Sequence, residues 1–137
     1  MIENKKHREI IKKYPELFGE PPFETKNTLI GFGFEINDGW LSIIEEGLKK
    51  LSEVVKRDNL TDFRIRQIKE KFGGLRIHCN YYTDEIDDII NNMELQATRT
   101  CERCGSKGGV LREKMFMATL CDKCYNEIEE KRLKKNE

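Results

Sequence analysis

Two cysteine pairs constrain this chain more than any other feature: Cys101-Glu-Arg-Cys104-Gly105 and, after sixteen intervening residues, Cys121-Asp-Lys-Cys124. Two residues between cysteines allow a tight turn that aims both sulfurs at one point. Each pair then supplies one side of a tetrahedron, and the spacing fits a four-thiolate zinc site. Gly105 provides the positive φ such a knuckle uses after its second ligand. Between the pairs, Gly108-Gly109 opens Val110–Leu120, a run suited to a small β-hairpin. Beyond them, residues 125–135 read as a helix whose first turn carries Cys121 and Cys124. The expectation is one Zn2+ per chain, held by Cys101, Cys104, Cys121 and Cys124. Buried or redox thiols are the competing reading.

The order of knuckle, hairpin and ligand-bearing helix is similar to the treble-clef zinc finger. Some fingers of that shape are metal-dependent nucleases with a catalytic histidine in the hairpin. Here the histidines are His7 and His78, so residues 105–120 hold none to polarise a water, and that reading is rejected. The finger segment is poor in apolar residues, and metal binding must supply most of its folding free energy, on the order of 10 kcal/mol.

The rest of the chain can build its own core. With 137 residues, the expected division is an α+β main domain over 1–100 and a zinc unit over 101–137. A helix over 84–98 runs almost directly into Cys101, so the unit is expected to be rigidly attached. Hydrophobic residues make up 37% and charged residues 36%, with no apolar run of membrane length. The first residues are charged rather than apolar, so no signal peptide is expected. Cysteines in ligand spacing fit a reducing compartment, and the cytoplasm is the expected location.

Read in order, residues 5–18 suit one helix, with Ile10, Ile11, Tyr14, Leu17 and Phe18 at helical spacing. His7 lies in its charged first turn and is expected to be solvated. Leu29–Ile36 alternates enough for a strand or extended loop; Gly31-Phe-Gly33 lacks the later glycine of a dinucleotide fingerprint, and close packing of Phe32 and Phe34 is the plainer account. Asn37-Asp38-Gly39-Trp40 forms a turn before the strongest helix, which places Trp40, Leu41, Ile43, Ile44, Leu48, Leu51, Val54 and Val55 on one stripe. Trp40 reads as a core anchor rather than a base-stacking platform. Residues 63–69 and 75–82 then read as two strands around Lys71-Phe-Gly-Gly74, with a bulge near Ile68 where the alternation slips. The resulting class is helices packed on a small antiparallel sheet.

Net charge is zero, which removes the simplest argument for nucleic-acid binding. The charges are sorted, however. Residues 61–82 carry five cationic side chains against two acidic ones, a balance of +3, whereas 83–100 carry five acidic against one cationic, a balance of −4. In a regular hairpin Arg64 and Arg66 share a face with Arg76 and His78. Such a cluster needs an external anion, cover from the acidic residues of helix 84–98, or full solvation. The acids of that helix are also explained by its dipole. Cys79 falls on the apolar side of its strand and reads as a structural thiol.

Asp38-Gly-Trp40, Ile68-Lys-Glu-Lys-Phe-Gly-Gly-Leu-Arg76, Cys101-x-x-Cys104-Gly and Thr119-Leu-Cys-x-x-Cys124 together resemble a family of small proteins of bacteriophages, prophages and bacteria. The likeness spans residues 38–124, and Lys-Phe-Gly-Gly-Leu-Arg is its distinctive part. It implies a phage-type accessory protein, located in the host cytoplasm, that binds a host protein such as a defence effector. It carries over no catalytic residues. The expected function is therefore non-enzymatic binding without a membrane. The alternative is nucleic acid or a phosphorylated nucleotide bound by Arg64, Arg66, Arg76 and His78.

Overall fold

Residues 2–114 and 116–135 are described by the computed structural model. Helix α1 (Lys5–Lys13) begins where the Asn4 side chain accepts the His7 N–H at 3.1 Å. It ends at Tyr14, which precedes Pro15; a proline excludes its predecessor from helical geometry. Tyr14 accordingly sits at φ −125°, ψ 62°, and α2 (Pro15–Phe18) follows as a separate turn. The single helix expected over 5–18 is thus two. Both press their apolar residues, Ile10, Ile11, Leu17 and Phe18, into the core.

The spine is α3 (Leu41–Arg57), preceded by a 3-10 turn at Asp38–Trp40. Its stripe is buried as the spacing requires, with Ile44, Leu48 and Leu51 fully enclosed. Trp40 is also fully buried, and its indole N–H donates to the Thr100 carbonyl at 2.9 Å. Helix α4 (Asp84–Ala97) packs alongside α3; Thr83 caps it by accepting the Ile86 N–H, and Ile86, Ile90, Met93 and Ala97 face inward.

Strands β1 (Ile65–Lys71) and β2 (Gly74–Cys79) form an antiparallel hairpin. The register is irregular between Ile65 and Gln67, so the bulge sits at Arg66, two residues before the expected place. It returns Ile68 to the buried face with Ile65, Leu75 and Ile77. Neither edge is left open. Along β1, Leu29 N–H donates to Arg66 O, Glu35 N–H to Ile68 O and Glu70 N–H to Glu35 O. The segment expected to be a strand or extended loop over 29–36 is therefore a 3-10 turn (Ile30–Phe32) followed by one parallel bridge. Phe34 is buried there, whereas Phe32 is exposed rather than packed. On the other edge, Ile77 N–H donates to Glu94 Oε2 and Cys79 N–H to the Tyr82 hydroxyl. Covering both edges removes a template for unwanted strand pairing.

After α4 the chain forms a second hairpin, β3 (Val110–Arg112) with β4 (Ala118–Leu120), and then α5 (Asp122–Lys135). Its small interior consists of Cys101, Ala118, Leu120 and Cys124, with Tyr125 and Ile128 half-buried against them. The class is α+β, with two small antiparallel sheets.

Candidate metal centre

Each half of the cysteine quartet is held by backbone. Gly105, at φ 82°, donates its N–H to Cys101 O at 2.9 Å, and Cys101 N–H donates to Ser106 O at 2.8 Å. These two bonds close the first knuckle. On the other side Cys121 immediately precedes α5, and Cys124 lies in its first turn, donating its N–H to Cys121 Sγ at 3.4 Å. All four sulfurs lie within 4.8 Å of one another, and Cys104 Sγ to Cys121 Sγ is 3.7 Å. None is disulfide-bonded. Sulfurs at the corners of a tetrahedron with metal–sulfur bonds of ~2.3 Å are ~3.8 Å apart, so the quartet fits a bound metal ion.

The four thiols sit in unequal surroundings. The Cys124 N–H and then Ser106 bring the Cys121 thiol down to about 6, and Ser106 also lowers Cys104. Burial and the neighbouring sulfurs push Cys124 up to about 12. Four ionised thiols this close would repel one another, and a bound cation would offset that repulsion. Around the quartet, Arg103 bonds Glu127 at 2.9 Å, and Arg112 spans Leu120 O and Asp122 while lying 4.7 Å from the Tyr125 ring centre. The first contact fixes α5 against the knuckle and the others fix it against the β3–β4 hairpin.

The unit is also tied to the main core. Gly39 N–H donates to Glu102 O at 2.8 Å, and Thr119 Oγ1 donates to Gly73 O at 2.7 Å in a buried contact. Gly73 has φ 82°, and a Cβ there would run into Leu111 and Ala118.

Of the four residues expected on one hairpin face, Arg66, Arg76 and His78 are exposed on the β1–β2 hairpin and Arg64 lies outside it. Arg64 precedes β1 and folds back, donating to the carbonyls of Phe63 (2.6 Å) and Thr61 (3.3 Å). Arg66 is exposed on the bulge. In the register set by the Phe72-Gly73 turn, Arg76 lies opposite Lys69 and His78 opposite Gln67. Lys69 and Lys71 thus add to the cationic side chains that Arg66 and Arg76 place on the hairpin. Cover by the acidic residues of α4 is confined to Glu94, which feels Arg76 and His78 while bonding Ile77 N–H. Glu85 pairs with Arg57 instead. Among the described residues, no carboxylate lies within 4.0 Å of the charged ends of Arg66, Lys69, Lys71 or Arg76.

Cys79 is half-buried against the core, and burial pushes its thiol up to about 12, the state of an unreactive structural cysteine. His7 departs from expectation. It is buried at 4% exposure and Nδ1 accepts the Phe34 N–H at 3.1 Å, so it is a core histidine rather than a solvated one. Spacing gave no hint of this, because the acceptor role depends on a loop N–H twenty-seven residues away. No helix among the described residues is long and apolar enough to cross a membrane.

No family model, curated protein or solved structure matches this chain. The functional reading therefore rests on the residues themselves.

Proposed function

We propose that this is a zinc-stabilised, non-enzymatic binding protein that docks on another protein where the hairpin tip meets the metal unit. Phe72 carries this reading. It is 67% exposed and held at φ 53°, a conformation unfavourable for a bulky side chain. Positive φ at Phe72 and Gly73 is what a two-residue hairpin turn uses, but the turn needs no aromatic ring there, and a ring facing water is available to a partner. Its neighbour Gly73 touches Leu111, and Val110 and Leu111 expose 53% and 43% of their surface. Lys69, Lys71 and Arg76 flank the tip, favouring a partner with an acidic rim around an apolar pocket. Zinc is the metal that best suits four thiolates in tetrahedral spacing. Knuckle, hairpin and helix then correspond to a treble-clef-like finger whose task is to hold the docking surface in place. The phage-family resemblance makes a bacterial host protein, such as a defence effector, the partner to look for.

The test is affinity capture from bacterial lysate with mass spectrometry, comparing wild type with Phe72→Asn. Asparagine tolerates positive φ, so the variant keeps the turn and removes the aromatic ring. A partner that is lost with Phe72→Asn and retained after nuclease treatment supports the reading. A partner retained equally by both proteins overturns it.

A second reading, nucleic acid or a phosphorylated nucleotide, is favoured by the unpaired cations Arg66, Lys69, Lys71 and Arg76. Phosphate binding releases counterions, so affinity would fall steeply with salt. Binding insensitive to salt argues against it.

A further inference from the structure

A cleft of about 520 Å³ lies between residues 34–37, the end of β1 and the metal unit. Its walls include the apolar residues Phe34, Ile36, Met117 and Ile128, and Glu70 and Glu102 also line it. Glu102 is the anomaly. It is 5% exposed, and its Oε2 is buried with no hydrogen-bond partner. Its backbone is fixed on both sides, since its N–H donates to Thr119 O at 2.9 Å and its carbonyl accepts from Gly39 at 2.8 Å. Glu70 Oε2 accepts the Gly73 N–H at 2.7 Å, which fixes that carboxylate too. The arginine on the rim, Arg103, does not neutralise them because it is engaged with Glu127 at 2.9 Å.

A buried carboxyl oxygen without a donor is unfavourable unless the acid keeps its own proton or a ligand supplies a donor; a cationic ligand supplies both donor and charge. A metal ion is a poor candidate. Among the described residues, the cysteine quartet is the one group of three or more potential ligands gathered closely enough for an ion. The cleft is also far larger than an ion needs. Apolar walls above a carboxylate floor instead match a cation on a hydrocarbon stem. We propose that the cleft receives an arginine or lysine side chain of a partner protein, whose charged head reaches Glu102 and Glu70. This rests on the docking reading and adds the chemistry of one anchor: the cleft shares Met117 and Ala118 with the hairpin beside the exposed tip.

Zinc-loaded, 15N-labelled protein titrated with N-acetyl-arginine N-methylamide tests the proposal by NMR. Amide shifts at Phe34, Glu102 and Ile128 should saturate in the millimolar range. N-acetyl-norleucine N-methylamide should leave them unmoved, and Glu102→Gln should weaken the arginine probe at least tenfold. Met117→Arg, which places a cation at the cleft without altering the buried glutamate, should block the probe as well, and it decides the matter if Glu102→Gln does not fold. Absence of saturable shifts, an equal response to norleucine, or undiminished binding in the variants overturns the proposal. So does binding of agmatine with no response to the capped arginine, which would indicate a free amine rather than a side chain. Probe binding together with failed Phe72-dependent capture would sink the docking surface and leave the cleft standing. Phe72-dependent capture without probe binding would do the reverse.

Discussion

Gly39 and Glu102 are joined by a 2.8 Å hydrogen bond from the Gly39 N–H to the Glu102 carbonyl. The approach is so close that a Cβ on Gly39 would collide with the backbone of Cys101 and Glu102. The turn that starts the spine helix therefore abuts the first metal knuckle directly. Gly39→Ala should destabilise the protein by about 1–3 kcal/mol or more, because backbone atoms cannot move aside as a flexible side chain can. Gly108→Ala, where nothing lies within 4 Å, is the control and should be near neutral. Urea denaturation of both variants checks this.

The metal prediction is one zinc per chain. Elemental analysis of protein purified without added zinc should find close to one equivalent, and Cys121→Ser should reduce it sharply. Hydrogen exchange should then rise through Ala118–Leu120 and α5, while α3 stays protected. Substantially less than one equivalent in wild type, or a disulfide among these cysteines in a reduced sample, would contradict it.

Leu48 is fully buried in the centre of α3. Leu48→Ala should cost roughly 2–5 kcal/mol, the lost transfer energy plus the cavity left behind. A cost below about 0.5 kcal/mol would mean the site collapses around the smaller residue, contrary to close packing there.

Arg76 is exposed, and among the described residues it donates only to the adjacent Leu75 carbonyl. Arg76→Ala should change stability by no more than about 0.5 kcal/mol, because no buried partner is stranded. Loss of partner or nucleotide binding with an unchanged melting temperature would locate an external anion on this face. A drop of several kcal/mol would instead mean that the side chain has a buried role.

His7 should make stability depend on pH. Burial, only partly opposed by Asp38, holds its pKa below the ordinary 6.5. The folded state therefore prefers the neutral ring, with Nδ1 accepting from Phe34 and Nε2–H aimed towards Asp38 at 3.9 Å. The unfolded chain takes up its proton first as pH falls. The contribution is complete above 6.5 and is lost as pH drops from there through the lowered folded value. Melting temperatures of wild type and His7→Gln should converge as pH falls from 7.5 to 5. Comparing the two proteins cancels acid loss of the metal, which both share.

How much of this was legible in the chain follows from the range of each interaction. Cysteine spacing, Gly105 and the α3 stripe are local signals: a two-residue gap or a helical period determines the geometry whatever lies around it. The cysteine quartet, the spine helix with its buried Trp40 and both hairpins were readable for that reason. The arginine face was readable only in part: the Phe72-Gly73 turn pairs Arg76 with Lys69 and His78 with Gln67, and Arg64 bonds backbone carbonyls outside the strand. His7 gave no local sign of its burial, since its hydrogen-bond partner comes from a distant segment. Likewise Gly39, Gly73 and Glu102 look in sequence like ordinary turn and surface residues. Only the packing of the metal unit against the hairpin tip and the start of α3 makes the first two close contacts and leaves the third buried with an unpaired oxygen. Local geometry specified the elements, and long-range burial decided which of their polar atoms still need a partner.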